Sequence, residues 1–425
     1  MSQSGSPTVS AVCPLTAPYT VVLKPVHDGE WIISTVYQGD TYSTNITLSA
    51  WGTYYAELKY RRIYGVSWNG SSSTVLTRTD DSADFANPVS QIGTSEGSSP
   101  FDSLYPWSEM KEYNVINSAI SYEKGVDAEF SRTTYDTVVK IPKFWYKVTS
   151  EGSTWTCKIA NVPYEDGGFQ LHPAFNESDE IYIGKYITGG GYVSRSGKSP
   201  VTNITRATFR DNARNKGANW DTLNIATYSA LMMLYLVEYA DWNSQNCVGK
   251  GYTNGSAAIT TGGTDLMTYH TGRPAGTDEL TSIQYRGIED LWGNAWQFVD
   301  GINFNGNIPY YCFNRANFGD DKSTGYFQLG FNVPGTSGSW QLPKSHGVDQ
   351  NAPWLILPNA TGGSDASYIP DGWMSDTGWR IFLVGGYFAA GSRAGLFARV
   401  ASNASSIAAA TLGGRLIFIP SEVNT

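Results

Sequence analysis

Gly93-Thr-Ser-Glu-Gly97 fits the G-x-S-x-G pattern, which places a nucleophilic serine, here Ser95, on a strained turn between a strand and a helix. No strong strand precedes it and no helical period follows. The surrounding residues 92–100 (IGTSEGSSP) are rich in Ser, Gly and Pro and read as a loop. His27, His172, His270 and His346 stand apart, with no HxH or HExxH pair, so no local spacing supports metal ligation. Asp320-Asp321 in NFGDDKSTGY offers oxygen ligands to a hard cation but lacks the Asp/Asn spacing of a calcium loop, and a solvated acidic turn is expected. Cys13, Cys157, Cys247 and Cys312 lie far apart without a CxxC pair and read as free thiols. From these groups no catalytic residue, no metal and no cofactor is expected.

The 425 residues allow two or three domains. Charged residues make up 16 %, and Lys+Arg 29 against Asp+Glu 38 leaves a net charge of −9. A protein that follows nucleic-acid phosphates with a basic stripe would not carry that balance. Aromatic residues reach 14 % and glycines number 45, which describes a turn-rich, mostly extended chain rather than a disordered one. The most apolar run, residues 228–237, stops at Glu238. That is well short of the roughly 20 residues needed to cross a bilayer, so no membrane insertion is expected. The first residues (MSQSGSPTVSAVCPLTAPYT) show neither the basic nor the apolar block of a secretory signal.

The elements that must position any site begin with short β-branched runs (YTVVLKPV, WIISTVY, STNITLSAW, YYAELKY) separated by turn signals. This rhythm predicts a small Ig-like β-sandwich over residues 1–60, an attachment or spacer module because its turns hold no aromatic cluster. A β-rich, loop-rich region is expected over 61–134. TVVKIPKFWYK at 137–147 is the clearest strand, with Pro142 marking an edge or a bulge. Two helices are expected. One is capped by Thr205 and closed by Gly217 in the left-handed conformation. The second runs from Asp221 or Thr222 to about Trp242, with Met232 and Met233 in the core. Gly-rich loops and short strands follow.

Two stretches stand above this background. The first is RGIEDLWGNAWQFVDG, residues 286–301. Its Trp-Gly-Asn turn followed by a strand resembles a segment of formylglycine-generating-enzyme-like proteins, a branch of the C-type lectin fold. The second is GWRIFLVGGYFAAGSRAGLFARVASNASSIAAATLGGRL, residues 378–416. Its frame of Trp379, Arg380, Gly385, Gly386, Gly391, Ala394-Gly395, Phe397, Gly413 and Arg415 resembles the C-terminal variable region of proteins diversified by retroelements, of which phage tropism determinants are the best known. In that family an error-prone copy at adenines randomises residues that a C-type lectin fold displays on a ligand-binding face. The resemblance implies an α+β, C-type-lectin-like domain with two helices over 135–425, preceded by β-rich modules, with a variable region at about 381–415. It also implies a core that includes Trp292, Trp296, Phe298, Trp379, Phe397 and Leu416.

The residues offer a separate test. Randomising the first two bases of an Asn codon never yields Gln, Glu, Lys, Met or Trp, and none of these five occurs at 381–421. The run ARVASNASSIAAAT at 398–411 also shows neither period 2 nor period 3.6. The positions expected on one exposed, ligand-contacting face are Tyr387, Ala389, Ala390, Arg393, Ala398, Val400, Ser402, Ala404, Ile407, Ala408, Ala409, Ala410 and Thr411. Tyr387, Phe388, Arg393 and Arg399 are the expected anchors, and Phe382, Phe388, Arg399 and Ala401 are ambiguous between frame and display.

The function this implies is recognition of a host-cell surface protein or glycan by a virion tail or tail-fibre component, or by a bacterial surface protein. Other tail proteins would be partners, and a homotrimer would add avidity. Two alternatives stay open. A formylglycine-generating-like oxidase would need a C-terminal cysteine pair, and no cysteine follows Cys312. A metal-independent carbohydrate-binding lectin would act through Trp and Tyr.

Overall fold

A computed structural model describes residues 61–420 throughout and, ahead of them, five strands: Thr8–Cys13, Tyr19–Pro25, Trp31–Ile33, Tyr42–Thr47 and Tyr54–Tyr60. Thr8–Cys13 pairs with Tyr42–Thr47, and Tyr19–Pro25 lies between Trp31–Ile33 and Tyr54–Tyr60, all antiparallel. The side chains before residue 61, Cys13 and His27 among them, lie outside the described residues.

The chain is mostly β, with 33 % of residues in strands and 12 % helical. This corrects the expected α+β class with two helices. Among the described residues there are three α-helices, α1 (Arg206–Asn215), α2 (Ile225–Tyr239) and the short α3 (Ser244–Val248), and several sheets surround them. Many strands are too brief to show a period. Gln284–Tyr285 and Ile288–Glu289 have two residues each, so the helices dominated the sequence pattern although the sheets dominate the fold.

Seven strands matter for the site: β1 (Asp136–Pro142), β2 (Glu180–Gly184), β3 (Trp296–Asn305), β4 (Trp379–Gly385), β5 (Gly395–Ala401), β6 (Leu412–Gly413) and β7 (Leu416–Phe418). The segment expected as one strand over 137–147 is two. β1 ends at Pro142 and enters a six-stranded sheet, while Trp145–Glu151 joins a five-stranded one. Pro142 is tolerated because it closes its strand. In the six-stranded sheet β7 lies between β2 and Trp220–Thr222. A seven-stranded sheet carries β3, β4 and β5 side by side, with Gln297 opposite Val384 and Leu383 opposite Val400. β6 pairs with the start of β3 in parallel, Trp296 against Leu412.

Thr205 caps α1 as expected, its side chain accepting from the Thr208 N–H. Gly217 follows at φ +154°, open to glycine but not left-handed helical. α2 begins at Ile225 instead of Asp221 because Trp220–Thr222 is a strand, and Asn224 supplies the cap by accepting from the Thr227 N–H. All fifteen residues of α2 are buried, Met232 and Met233 included. A helix apolar all round belongs to the interior, and α2 packs on Thr154–Ala160 and on β3. Its one acid, Glu238, is wholly buried and ion-paired with Arg286. Of the expected core, Trp292, Trp296, Phe298, Phe397 and Leu416 are buried. Trp379 is only half-buried, its ring 5.6 Å from that of Tyr310, across β3.

Candidate functional site

The two stretches singled out in the sequence meet in space. β3, from the first, pairs with β4 and β6 of the second. Arg415 joins them from inside. Its guanidinium is buried, Nε donating to Gln297 Oε1 at 2.7 Å while Nη1 and Nη2 donate to the carbonyls of Gly184, Lys185, Glu289 and Asp290. Burial lowers its pKa to about 10, which leaves the group charged at neutral pH. Asp290, also buried, is pushed above the carboxylate range by desolvation and by neighbouring Glu289.

Trp296, at the head of β3, carries the surface above. Its indole stacks with Trp340 (centroids 6.0 Å apart, 13° between planes) and with Tyr387 (6.3 Å, 24°). Tyr387 meets Phe388 edge-on, and the Arg393 guanidinium stands 5.7 Å from the Trp340 centroid. Aromatic pairs of this kind add about 0.5–1.5 kcal/mol beyond their buried area. Tyr387, Ile407 and Ala409 pack on the cluster that contains Trp296 and Leu412, so residues 387–393 and 402–411 rest on a common foundation.

A pocket of about 400 Å³ opens between residues 389–393 on one side and Trp340, Gln341, Leu342, Gly363 and Asp365 on the other. A second, of about 280 Å³, adjoins it and shares Asp365 and Ser392. Trp340, Gln341 and Asp365 were not among the expected positions. The signal available was a lone Trp at the end of a Gly/Ser run, PGTSGSW at 334–340.

Of the thirteen expected display positions, Ala389, Arg393, Ala404, Ala408 and Ala410 are exposed, and Tyr387, Ala390, Ser402, Ile407, Ala409 and Thr411 are partly so. Ala398 and Val400 are not displayed. They lie in β5, every residue of which is buried, and a strand covered on both faces shows no alternation. The missing period at 398–401 therefore reflects burial rather than display. Arg399 is likewise no surface anchor. Its guanidinium is buried and donates to the carbonyls of Phe397 and Ile356 and to His346. Phe382 and Ala401 belong to the core, whereas Phe388 is half-exposed.

Main-chain hydrogen bonds tie the segments that carry these eleven positions at several points. The Phe388 N–H donates to the Asn294 carbonyl (3.0 Å), Gly391 to Thr253 (3.0 Å), Asn203 to Ala409 (3.1 Å) and Trp296 to Thr411 (2.9 Å). Gln245 Nε2 adds a bond to the Gly391 carbonyl at 3.0 Å. Among the described residues, none of the eleven side chains makes a hydrogen bond or an ion pair. Two glycines permit the turn. At Gly386 (φ +90°) a Cβ would stand 2.6 Å from that of Ala394, and at Gly395 (φ +142°) it would stand 2.2 Å from the Asp371 carboxylate, which accepts from the Phe397 N–H. Only glycine fits such a combination of angle and crowding.

The other expected chemistry resolves into structure. Asp320 is no solvated turn: it pairs with Arg206 and Arg210. Asp321 accepts from Ser405. His172, buried, accepts from the Ala174 N–H, and His270 contacts Asp102 at 3.0 Å. Ser95 Oγ accepts from the Ile92 N–H inside its own turn. Cys157, Cys247 and Cys312 are free thiols. Among the described residues no group of three or more His, Cys, Asp or Glu is placed to hold a metal ion, and no helix is long and apolar enough to cross a membrane.

No protein-family model matches this chain, and no curated protein matches it at a significant level.

Proposed function

We propose that this chain is a receptor-binding protein whose variable surface, residues 387–393 and 402–411, contacts host-cell surface molecules, and that it serves as a virion tail or tail-fibre component. The observation that carries the reading is the division of labour in this segment. Its main chain is tied to other main chain at several points, and its outward side chains make no hydrogen bond or ion pair among the described residues. Exposed substitutions away from structural roles usually cost within about 0.5 kcal/mol, so such a surface can change its residues without changing its fold. The restricted residue set at 381–421 and the resemblance to retroelement-diversified proteins point the same way. Attachment to other tail proteins, and trimerisation, would add the avidity that one shallow face lacks.

The test is exchange of eight outward residues in one variant, with Tyr387, Ile407 and Ala409, which pack on the Trp296 cluster, and the buried Ala398 and Val400 left as they are. Binding of the full chain to bacterial cells should be lost or redirected while the melting temperature stays unchanged. Retained binding to the same cells would overturn the proposal. A second copy of the codons for 381–415, differing only at adenines beside a reverse-transcriptase gene, would support it from the DNA.

A further inference from the structure

The two adjoining pockets differ in origin. The larger is walled on one side by variable residues 389–393, whereas the smaller is built largely from side chains outside the variable segment, among them Asn243, Asn246 and Lys250 around α3. Asp365 and Ser392 are common to both and are linked by a hydrogen bond from Ser392 Oγ to Asp365 Oδ2 at 3.4 Å. Gln245, in α3, holds the Gly391 carbonyl and so fixes the position of the variable turn relative to the smaller pocket. Together the two form one groove with a variable end and an end that diversification leaves alone.

The lining indicates the ligand. Amides, hydroxyls and two carboxylates, Asp365 and Asp371, predominate, with Asn246, Gln341 and Asp365 exposed, and Trp340 supplies the one aromatic wall. Large aliphatic anchors are scarce, the apolar contributors besides Trp340 being Leu342, Ala366, Pro370 and the variable alanines. A peptide ligand draws its affinity from apolar or aromatic side chains buried in pockets, and this groove offers them little. The groove holds two cations, Lys250, paired with Glu279, and Arg393, over the Trp340 ring, against the carboxylates of Asp365 and Asp371, so it presents no excess of positive charge for an acidic ligand. Neutral hydroxyls, which both donate and accept, match amide and carboxylate partners.

We propose that the groove binds a neutral, hydroxyl-rich oligosaccharide, with Asn246 and Asp365 recognising a common sugar unit and residues 389–393, beside Trp340, discriminating the unit next to it. This rests on the surface-recognition reading above and gives it a ligand class.

The experiment uses the labelled full chain on a panel of bacterial cells, read by flow cytometry, with bound strains treated either by mild periodate, which cleaves vicinal diols, or by proteinase K. Periodate should abolish binding and protease should spare it. Asn246→Ala and Asp365→Ala, both at exposed positions, should each weaken binding about tenfold, the effect of one unmade hydrogen bond to a bound group, with no change in melting temperature. Binding that resists periodate and is lost to protease would identify a protein ligand, overturning the sugar assignment while leaving surface recognition standing. Unchanged binding by both variants would refute the fixed half-site. A chain that bound no cell of the panel would refute surface recognition, and this proposal with it.

Discussion

Arg415 and Gln297 share a hydrogen bond of 2.7 Å in the interior although 118 residues separate them in the chain. Through this contact and the four carbonyls around it, the strand that follows residues 387–411 is locked to the strand on which the aromatic row stands. The guanidinium suits the task because its donors leave in a fixed fork, which a flexible ammonium cannot reproduce.

Replacing Arg415 by Ala should therefore cost about 3–5 kcal/mol, the range for removing one member of a buried charged network and orphaning its partners. Arg415→Lys should recover less than half of that loss. Urea denaturation followed by tryptophan fluorescence measures both, and a lysine variant as stable as the parent would contradict the role of the fork.

The boundary between display and core is sharp enough to test residue by residue. Ala389→Ser, Ala404→Ser and Ala408→Asp should each shift stability by no more than about 0.5 kcal/mol. Ala398→Asn and Val400→Asn, which force an amide into the seven-stranded sheet, should each cost about 2–4 kcal/mol. Equal tolerance at all five sites, seen in thermal melts, would contradict the burial of β5.

Glu112 provides a pH signature. Burial alone would raise its pKa, but Lys185, Arg132 and Lys124 outweigh it and hold the carboxyl at about 2. A depressed folded-state value means that the stabilisation is complete above the ordinary carboxylate range and is lost as pH falls from about 4.5 to about 2. Glu112→Gln should cost about 3–5 kcal/mol at pH 7, since buried Lys185 keeps its bonds to Gln284 and the Gly287 carbonyl but loses its ion-pair carboxylate. That cost should shrink toward pH 2, where the parent carboxyl is protonated too. Acid titration of denaturant midpoints for the two proteins should show the curves converging, and a constant gap would reject the assignment.

Gly395 and Gly391 make a controlled pair. Both have positive φ, but a Cβ at Gly391 meets open space whereas one at Gly395 meets the Asp371 carboxylate. Gly391→Ala should cost about 1 kcal/mol from its left-handed backbone. Gly395→Ala should cost more than twice as much, because strain and the displacement of Asp371 add together. Guanidinium unfolding midpoints would show the difference, and equal losses would mean that Asp371 moves aside freely.

What the sequence disclosed depended on whether a feature was local. Thr205 was legible as a cap because the cap is made within three residues of itself, and Met232 and Met233 were legible as core because α2 is long. The break between β1 and Trp145–Glu151 was hidden because both strands are apolar and the two residues between them, Lys143 and Phe144, form no turn signal. β5 misled for a physical reason: with neighbours on each face it needs no polar side, and its small residues imitate a loop. The pocket walls at Trp340 and Asp365 come from segments with no period at all, and only the folded chain brings them to residues 389–393.

The placement of β7 has a further consequence. It sits inside the six-stranded sheet between two partners, and Arg415 immediately precedes it, so the last pieces needed to close the interior lie downstream of the segment proposed to vary. A chain that stopped short within 387–411 would lack both the clasp and the closing strand. It would be left with open sheet edges and an unfilled core, a species that cells degrade. The fold thus makes completeness a condition of stability: the surface at 387–411 is presented only by a chain whose synthesis has run through to the far side.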